Sequence, residues 1–511
     1  MTMPPVLWRF GPFGLGFGAG ALMAQGLAPV AFAWAGPLAL YVVAVLFRAI
    51  GTAQRAGWLG WVFGAGYFSV GLSWITEPFQ VDAAAHGWMA PFALVGLAGG
   101  LALFWALAFW CAAGLARGGW SVVALVGTWS LAELARAYVL TGFPWAGLAQ
   151  LALPGDVVLR LVPWVGAQGA GLLLLLSVLP LVYLRPSHGT ALIPGAAVAV
   201  LAIVAAPPDP KDLPRTDKTA RLVQPNAPQD EKWRPEKRWL FVDRMLQLTA
   251  ARGDGDGREG TAVARPDLVI WPETAIPTLQ NHIEDVTPAL VAAAGGAELL
   301  YGIQREENGR YYNSAVVMSA EGEALDIYDK VHLVPFGEYM PLPYVWERLG
   351  VFGLAARAAA GYAPGARHKV LETSLGRALP LICYEGVFAQ DVGSAPSRPD
   401  FLVLMTNDAW FGTYSGPYQH LVQAQLRAAE QGLPMLRVAN TGVSAMIDPY
   451  GRIRDFIGLN TSGFIDTNLP LPLRPTFYSR SGDWPVLLTA LLLVVGATLA
   501  WLRRKTLRIL D

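Results

Sequence analysis

Apolar residues are not spread evenly along this chain. They gather into long uncharged blocks towards both ends, with a stretch of mixed polarity between them. Residues 10 to 47 contain no Asp, Glu, Lys, Arg or His, and near-uncharged stretches follow at 57–76, 83–116, 118–132, 137–155, 161–184 and 186–208. A last block runs from 484 to 502. A bilayer core takes ~20 apolar residues per helix, so the first block is long enough for two helices hinged near Ala28-Pro29. The pattern predicts seven transmembrane helices before residue 209 and one after residue 483, about eight in all. A cleaved leader ending at Ala31-Phe-Ala33 is the weaker reading, because the apolar sequence runs on past it and only Arg9 precedes it as a basic residue.

Between 209 and 483 the period changes. Short apolar runs at Leu222-Val223, 268–271, 299–303, 314–318, 379–382 and 401–405 read as strands, several of them closed by polar residues. One helix is well marked: Pro417 suits a first helical position after Ser415-Gly416, Leu421, Ala424 and Leu426 form its apolar face, and Gly432 with Pro434 ends it. Strands followed by helices, with polar residues at strand ends, predict an α/β layered domain. Three segments follow: a membrane domain over 1–208, a soluble-type domain over 209–483, and a final helix with a basic tail over 484–511.

Charge orients this arrangement. Short loops rich in Lys and Arg favour the cytoplasmic side. With the N-terminus inside, the inner loops and tails carry Arg9, Arg48, Arg55, Arg117, Arg185, Arg503, Arg504, Lys505 and Arg508, while the outer connections carry only Arg136 and Arg160 against four acidic residues. Seven crossings put 209–483 outside the cytoplasm. That segment holds 27 of the 38 basic and 33 of the 38 acidic residues, a net charge of −6, which argues against nucleic acid as a partner. Within the membrane part, Glu133 and Arg136 stand three apart in the fifth helix and are placed to pair on one face, as a snorkelling interfacial pair or as a hold on lipid headgroups or the domain junction.

The candidate chemistry centres on Cys383, the only cysteine outside the apolar blocks; its one companion, Cys111, lies inside 83–116 and reads as a packing residue. Cys383 ends the apolar run Leu379-Pro-Leu-Ile382. Glu273 follows a similar run, Leu268-Val-Ile-Trp-Pro272, and Lys330 sits in Tyr328-Asp-Lys330-Val. A thiol, a carboxylate and an ammonium supply nucleophile, base and oxyanion partner, the requirements of covalent acyl chemistry. With six histidines and no spaced Cys/His cluster there is no case for a metal, and no phosphate-cradling Gly-rich loop calls for a nucleotide cofactor. His420, beside Gln419 at the start of the Pro417 helix, is a pocket candidate.

Trp271-Pro-Glu273-Thr, Tyr328-Asp-Lys330 and Cys383-Tyr-Glu385 resemble, in order and spacing, the Glu-Lys-Cys triad of the nitrilase superfamily. Val331-His-Leu-Val-Pro-Phe-Gly337-Glu338-Tyr-Met-Pro341, Thr406-Asn-Asp-Ala-Trp410-Phe-Gly412, Arg437-Val-Ala-Asn440-Thr-Gly442 and Thr141-Gly-Phe-Pro-Trp145 resemble its apolipoprotein N-acyltransferase branch. The resemblance implies a nitrilase-like αββα sandwich on an eight-helix membrane domain, in the bacterial inner membrane with the catalytic domain on the periplasmic side. It implies a phospholipid acyl donor, a diacylglyceryl-modified apolipoprotein acceptor, a Cys383 thioester and no cofactor; a monomer is expected. It assigns Glu338 and Glu385 as acidic residues assisting the triad, Tyr384 and Trp410 to the acyl pocket, and Trp233 to the substrate entrance. The apolar segment between Pro341 and Gly361, with Val351 and Phe352, reads as buried core or as a flap facing lipid. Two other readings stay open. A membrane-bound amidase or nitrile hydrolase uses the same trio and releases free acid, and a transporter or receptor with a decayed outer domain retains the fold without the chemistry.

Overall fold

The computed structural model describes residues 5–153, 156–183, 213–252, 265–342, 344, 348 and 361–510. It divides into a helical unit (Met1–Thr76, Trp88–Pro207, Thr476–Asp511) and an α/β unit (Glu77–Gly87, Pro208–Pro475).

Among the described residues the helical unit has four helices long and apolar enough to cross a membrane, within Ala83–Leu115, Gly119–Thr141, Val157–Tyr183 and Trp484–Leu507. Shorter apolar helices run over Gly11–Ala24 and Ala35–Ala49, so the first uncharged block does break into two. A further helix, Ala53–Gly71, is diluted by glycines that let its neighbours come close. A Cβ at Gly66 would lie 2.2 Å from the Phe17 carbonyl oxygen, and one at Gly60 would lie 2.6 Å from that of Trp105. Small residues are used this way where helices pack without a hydrophobic drive between them. The expected span at 186–208 lies outside the described residues, as do Val351 and Phe352.

The helix Gly119–Tyr138 takes in Ala137 and Tyr138, and the apolar stretch beyond it, residues 139–153, departs from α-helix. It forms two short 3₁₀ turns, Val139–Thr141 and Leu148–Gln150, with the Gly142-Phe-Pro-Trp145 loop between them. Arg136 causes this: its guanidinium donates to the carbonyls of Phe143 at 2.6 Å and Trp145 at 2.7 Å, while its other nitrogens grip Glu133 at 2.7 and 3.2 Å. Glu133 also accepts from the Trp105 indole at 2.8 Å. The pair does form, but at 1% and 4% exposure it is an internal clamp, not a snorkelling surface pair.

In the α/β unit, one sheet contains β1 (Arg215–Gln224), β2 (Leu268–Ile270), β3 (Glu298–Glu307), β4 (Arg310–Met318), β5 (Ala324–Asp329) and β12 (Gly463–Pro470), in the order β12-β1-β2-β3-β4-β5. The other contains β6 (Leu371–Thr373), β7 (Gly376–Ile382), β8 (Phe401–Thr406), β9 (Met435–Ala439), β10 (Ser444–Ile447) and β11 (Ile453–Ile457), in the order β11-β10-β9-β8-β7-β6. Strands β1 to β3 run parallel, as do β7 to β9, so their carboxyl ends share an edge within each sheet.

Alternation along each strand sorts its side chains into two layers. Ile270, Leu300, Val317, Ile382, Val403 and Met446 meet between the sheets. Val269, Leu299 and Val316 face out towards Met245 and Leu290, on the helices Arg238–Ala250 and Thr287–Ala294. Leu402 and Leu404 face the opposite way onto Leu421, Ala424 and Ala428 of the helix Gly416–Gln431, which starts with Pro417 in its first turn and ends at left-handed Gly432. Burial on both faces explains why β8 reads as a continuous apolar run. The result is an αββα sandwich.

Candidate active site

The polar residues that interrupt the apolar pattern converge at the carboxyl ends of the parallel strands, where open α/β sheets usually place their sites. Glu273 lies just beyond β2, Lys330 directly follows β5, Cys383 directly follows β7, and Asn407 directly follows β8. Glu273, Lys330 and Cys383 are buried, at 7%, 1% and 6% exposure.

Glu273 is held at both oxygens: Asn313 Nδ2 donates to Oε1 at 2.7 Å and the Asn407 backbone N–H donates to Oε2 at 2.9 Å. Its backbone is fixed by Lys232, whose ammonium reaches the Glu273 carbonyl at 3.3 Å and the Thr274 hydroxyl at 3.2 Å. Lys330 Nζ lies 3.6 Å from Glu273 Oε1 and 2.8 Å from Glu338 Oε2. Glu338 is anchored by the Val334 N–H at 2.8 Å, and Asn313 touches it too, at 3.2 Å. Burial acts to lower the Lys330 pKa, but the Glu338 and Glu273 carboxylates beside it outweigh burial and hold it above its ordinary value. Burial pushes the Cys383 thiol up, the Glu273 carboxylate adds to this, and Lys330 and Thr406 oppose it. A thiol pushed up in this way can act as a nucleophile only where a base takes its proton.

Cys383 has φ of +50°, a left-handed backbone that a side chain adopts only where the surroundings impose it. Glu385 knits the turn. Its carboxylate accepts from the backbone N–H groups of Ile382 at 2.7 Å, Val331 at 2.7 Å and His332 at 3.2 Å, and from the Tyr328 hydroxyl at 2.7 Å. It thus ties the cysteine loop to the lysine loop, and burial pushes its own pKa up.

The other expected residues are more dispersed. Tyr384 is buried edge-on to Phe388 at 4.8 Å and to His332 at 5.5 Å. Trp410 is half-buried in the turn Asp408–Phe411 after β8. Trp233 is 40% exposed and lines a recess with Lys232, Phe241, Pro272 and Thr274, one residue removed from the lysine that props Glu273. Sequence reasoning missed Asn313, Asn407, Lys232, Asp408 and Arg437, and it named His420 only as a pocket candidate, without the buried trio it forms with Asp408 and Arg437. Asn313 was visible as an amide inside an apolar strand, and the others lie in or beside quoted motifs without a role attached. Among the described residues no group of three or more His, Cys, Asp or Glu is placed to hold a metal.

An αββα sandwich carrying a buried Glu, Lys and Cys at its strand ends defines a carbon-nitrogen hydrolase type of enzyme, and a carbon-nitrogen hydrolase family model matches residues 219–474. The model of the apolipoprotein N-acyltransferase N-terminal domain matches residues 19–179. An apolipoprotein N-acyltransferase of Rhodopseudomonas palustris is 36% identical over 477 residues, covering 88% of this chain and 86% of that one. That of Brucella melitensis is 36% identical over 474 residues, covering 87% and 86%. A solved mutant of the Nesterenkonia AN1 amidase, from the nitrilase superfamily, is 18% identical with a TM-score of 0.36 over 51% of this chain and 93% of its own. The chain belongs to the apolipoprotein N-acyltransferase family, and it is an acyltransferase.

Proposed function

We propose that this enzyme moves an acyl chain from a membrane phospholipid, through a thioester on Cys383, to the α-amino group of the diacylglyceryl-cysteine that begins an apolipoprotein. The observation that carries this reading is the enclosure of one thiol with one carboxylate and one ammonium in a water-poor site. Glu273 takes the thiol proton while sulfur attacks the ester carbonyl, and Lys330 stabilises the oxyanion that develops. The tetrahedral intermediate collapses, the glycerol oxygen leaves with the proton from Glu273, and lysophospholipid departs. The acceptor amine then attacks the thioester, gives a proton to Glu273 and forms the amide. The thiolate that leaves takes that proton back from Glu273, which restores the starting enzyme.

Exclusion of water between the two halves is what separates transfer from hydrolysis. The supporting roles fall to Glu338 and Glu385 as anchors of the lysine and cysteine loops, Tyr384 and Trp410 as acyl-pocket walls, and Trp233 at the entrance. Both substrates are lipid-anchored, which is why the chain combines a membrane domain (1–208, with 484–511 returning) with a catalytic domain (209–483). Eight spans, the inner membrane and a periplasmic catalytic domain are the arrangement that the charge pattern supports, with the enzyme working as a monomer.

The test is intact-mass and peptide mass spectrometry after incubation with a defined phospholipid, followed by a chase with a diacylglyceryl peptide. An acyl adduct on the Cys383 peptide that disappears as the peptide amine becomes acylated is the expected result. An adduct that persists in Cys383→Ala, or label released only as free fatty acid, overturns the proposal.

A further inference from the structure

Behind the cysteine lies a charged cluster that the reaction as described does not use. Asp408, His420 and Arg437 are buried at 0%, 0% and 0% exposure. Charged groups so far from water persist only where partners compensate them. Arg437 donates to Asp408 Oδ2 at 2.6 Å and to the Val443 carbonyl. Asp408 Oδ1 accepts from the Thr406 hydroxyl at 2.9 Å and lies 2.9 Å from His420 Nδ1, which is also 3.1 Å from Arg437. Burial would raise the Asp408 carboxyl, but Arg437 and then His420 outweigh it and hold it well below the usual carboxylate range. The space is closed: a Cβ at Gly442 would lie 2.1 Å from Asp408 Oδ2.

Besides the Thr406 hydroxyl, which bonds both Asp408 and the thiol, the cluster reaches the backbone of the nucleophile. His420 Nε2 lies 3.3 Å from the Cys383 carbonyl oxygen. A carbonyl only accepts, so this nitrogen carries the proton it donates. The carbonyl belongs to the residue with φ of +50°, a strained conformation that needs an outside hold. His420 is itself immobile, with Nδ1 set between Asp408 and Arg437 and the Phe411 ring edge-on to its face at 5.6 Å.

We propose that His420 is a positioning residue for acylation of Cys383: its Nε2–H, braced through Asp408 and Arg437, pins the Cys383 carbonyl and keeps the strained backbone that aims the sulfur. The inference rests on Cys383 being the nucleophile.

Two near-isosteric variants separate this role from simple packing. Asn places its amide nitrogen near Nδ1, retaining the Asp408 contact but losing the donor to Cys383; Gln places its nitrogen near Nε2 and retains that donor. The full-length enzyme in detergent is assayed for iodoacetamide alkylation of the Cys383 peptide, for the rate of acyl-enzyme formation from phospholipid, and for thermal unfolding. His420→Asn slows alkylation and acylation at least about tenfold, whereas His420→Gln stays within roughly threefold of wild type, with similar unfolding temperatures. Equal rates in the two variants overturn the proposal. If only His420→Gln folds, a loss of about tenfold in it overturns the proposal, and near-wild-type reactivity supports it. Wild type that alkylates at Cys383 but never acylates there sinks the thioester reading instead, while the Asn-against-Gln difference in alkylation still decides the role of His420.

Discussion

Lys330 is bound more closely to Glu338 than to Glu273, at 2.8 Å against 3.6 Å. The ammonium therefore has its own counter-charge, and Glu273 is oriented by the neutral donors Asn313 and Asn407. Glu338→Gln removes that counter-charge and leaves Glu273 as the nearest anion. Lys330 closes on it, and a base locked in an ion pair is a poorer proton acceptor. Acyl-enzyme formation in a single turnover falls by about 10²-fold, on the scale of one lost general base. A rate within a factor of about two of wild type contradicts this account.

Gly302 sits under the Glu273 turn. A Cβ there would lie 2.5 Å from the Pro272 carbonyl oxygen, 2.6 Å from the Thr274 nitrogen and 2.7 Å from the Glu273 Cα. All three are backbone atoms, so no side chain can rotate aside. Gly302→Ala shifts the carboxylate, and displacement on the scale of 1 Å costs about 10²-fold in rate. The variant loses about 1–3 kcal/mol of stability as well, read from denaturant or thermal unfolding.

Much of this was legible because burial writes itself into local sequence. Val403 and Leu404 face opposite helical and inter-sheet layers, so β8 shows as an uninterrupted apolar run. Pro417 and Gly432 bracketed a helix for stereochemical reasons. Glu273 and Cys383 followed apolar runs because strand ends present them at the edge of the sandwich, whereas Lys330, after Tyr328-Asp329, showed only in its motif. What stayed hidden depends on tertiary closure. Asn313 reaches Glu273 only because β4 lies two strands away from β2 in the same sheet, and His420 reaches Cys383 only because its helix packs over the turn after β7. The shape of 139–153 was hidden too, since hydropathy measures composition and not whether Arg136 will collect the carbonyls of Phe143 and Trp145 into a loop.

Glu385 accepts four hydrogen bonds while buried at 0% exposure. Glu385→Gln keeps the shape but replaces one acceptor oxygen by a donor nitrogen. At least one of the N–H groups of Ile382, Val331 or His332 then faces another donor. Leaving a buried donor unsatisfied costs ~1–3 kcal/mol, so the unfolding temperature drops and the Cys383 and Lys330 loops lose their common tie. Unchanged unfolding together with unchanged acylation rules out the tie.

Lys232 gives the chain a stability dependence at alkaline pH. Burial pulls its pKa down to about 8 from the ordinary 10.5, with the Glu273 carboxylate only partly opposing the shift. Between those two values the unfolded chain binds more protons than the folded one, so folding stability rises with pH across that window. Below about pH 8 the folded protein carries the whole cost of a buried ammonium, on the order of 3 kcal/mol for such a shift. Lys232→Met removes the titration but also the bonds to the Glu273 carbonyl and the Thr274 hydroxyl. Unfolding of the full-length enzyme in detergent, compared at pH 7.5 and pH 10, therefore shows wild type gaining on the variant as pH rises. Comparing the two proteins cancels the tyrosines and other lysines that titrate in the same range. Parallel pH curves would mean that Lys232 meets water freely and that its grip on the Glu273 turn does not exist.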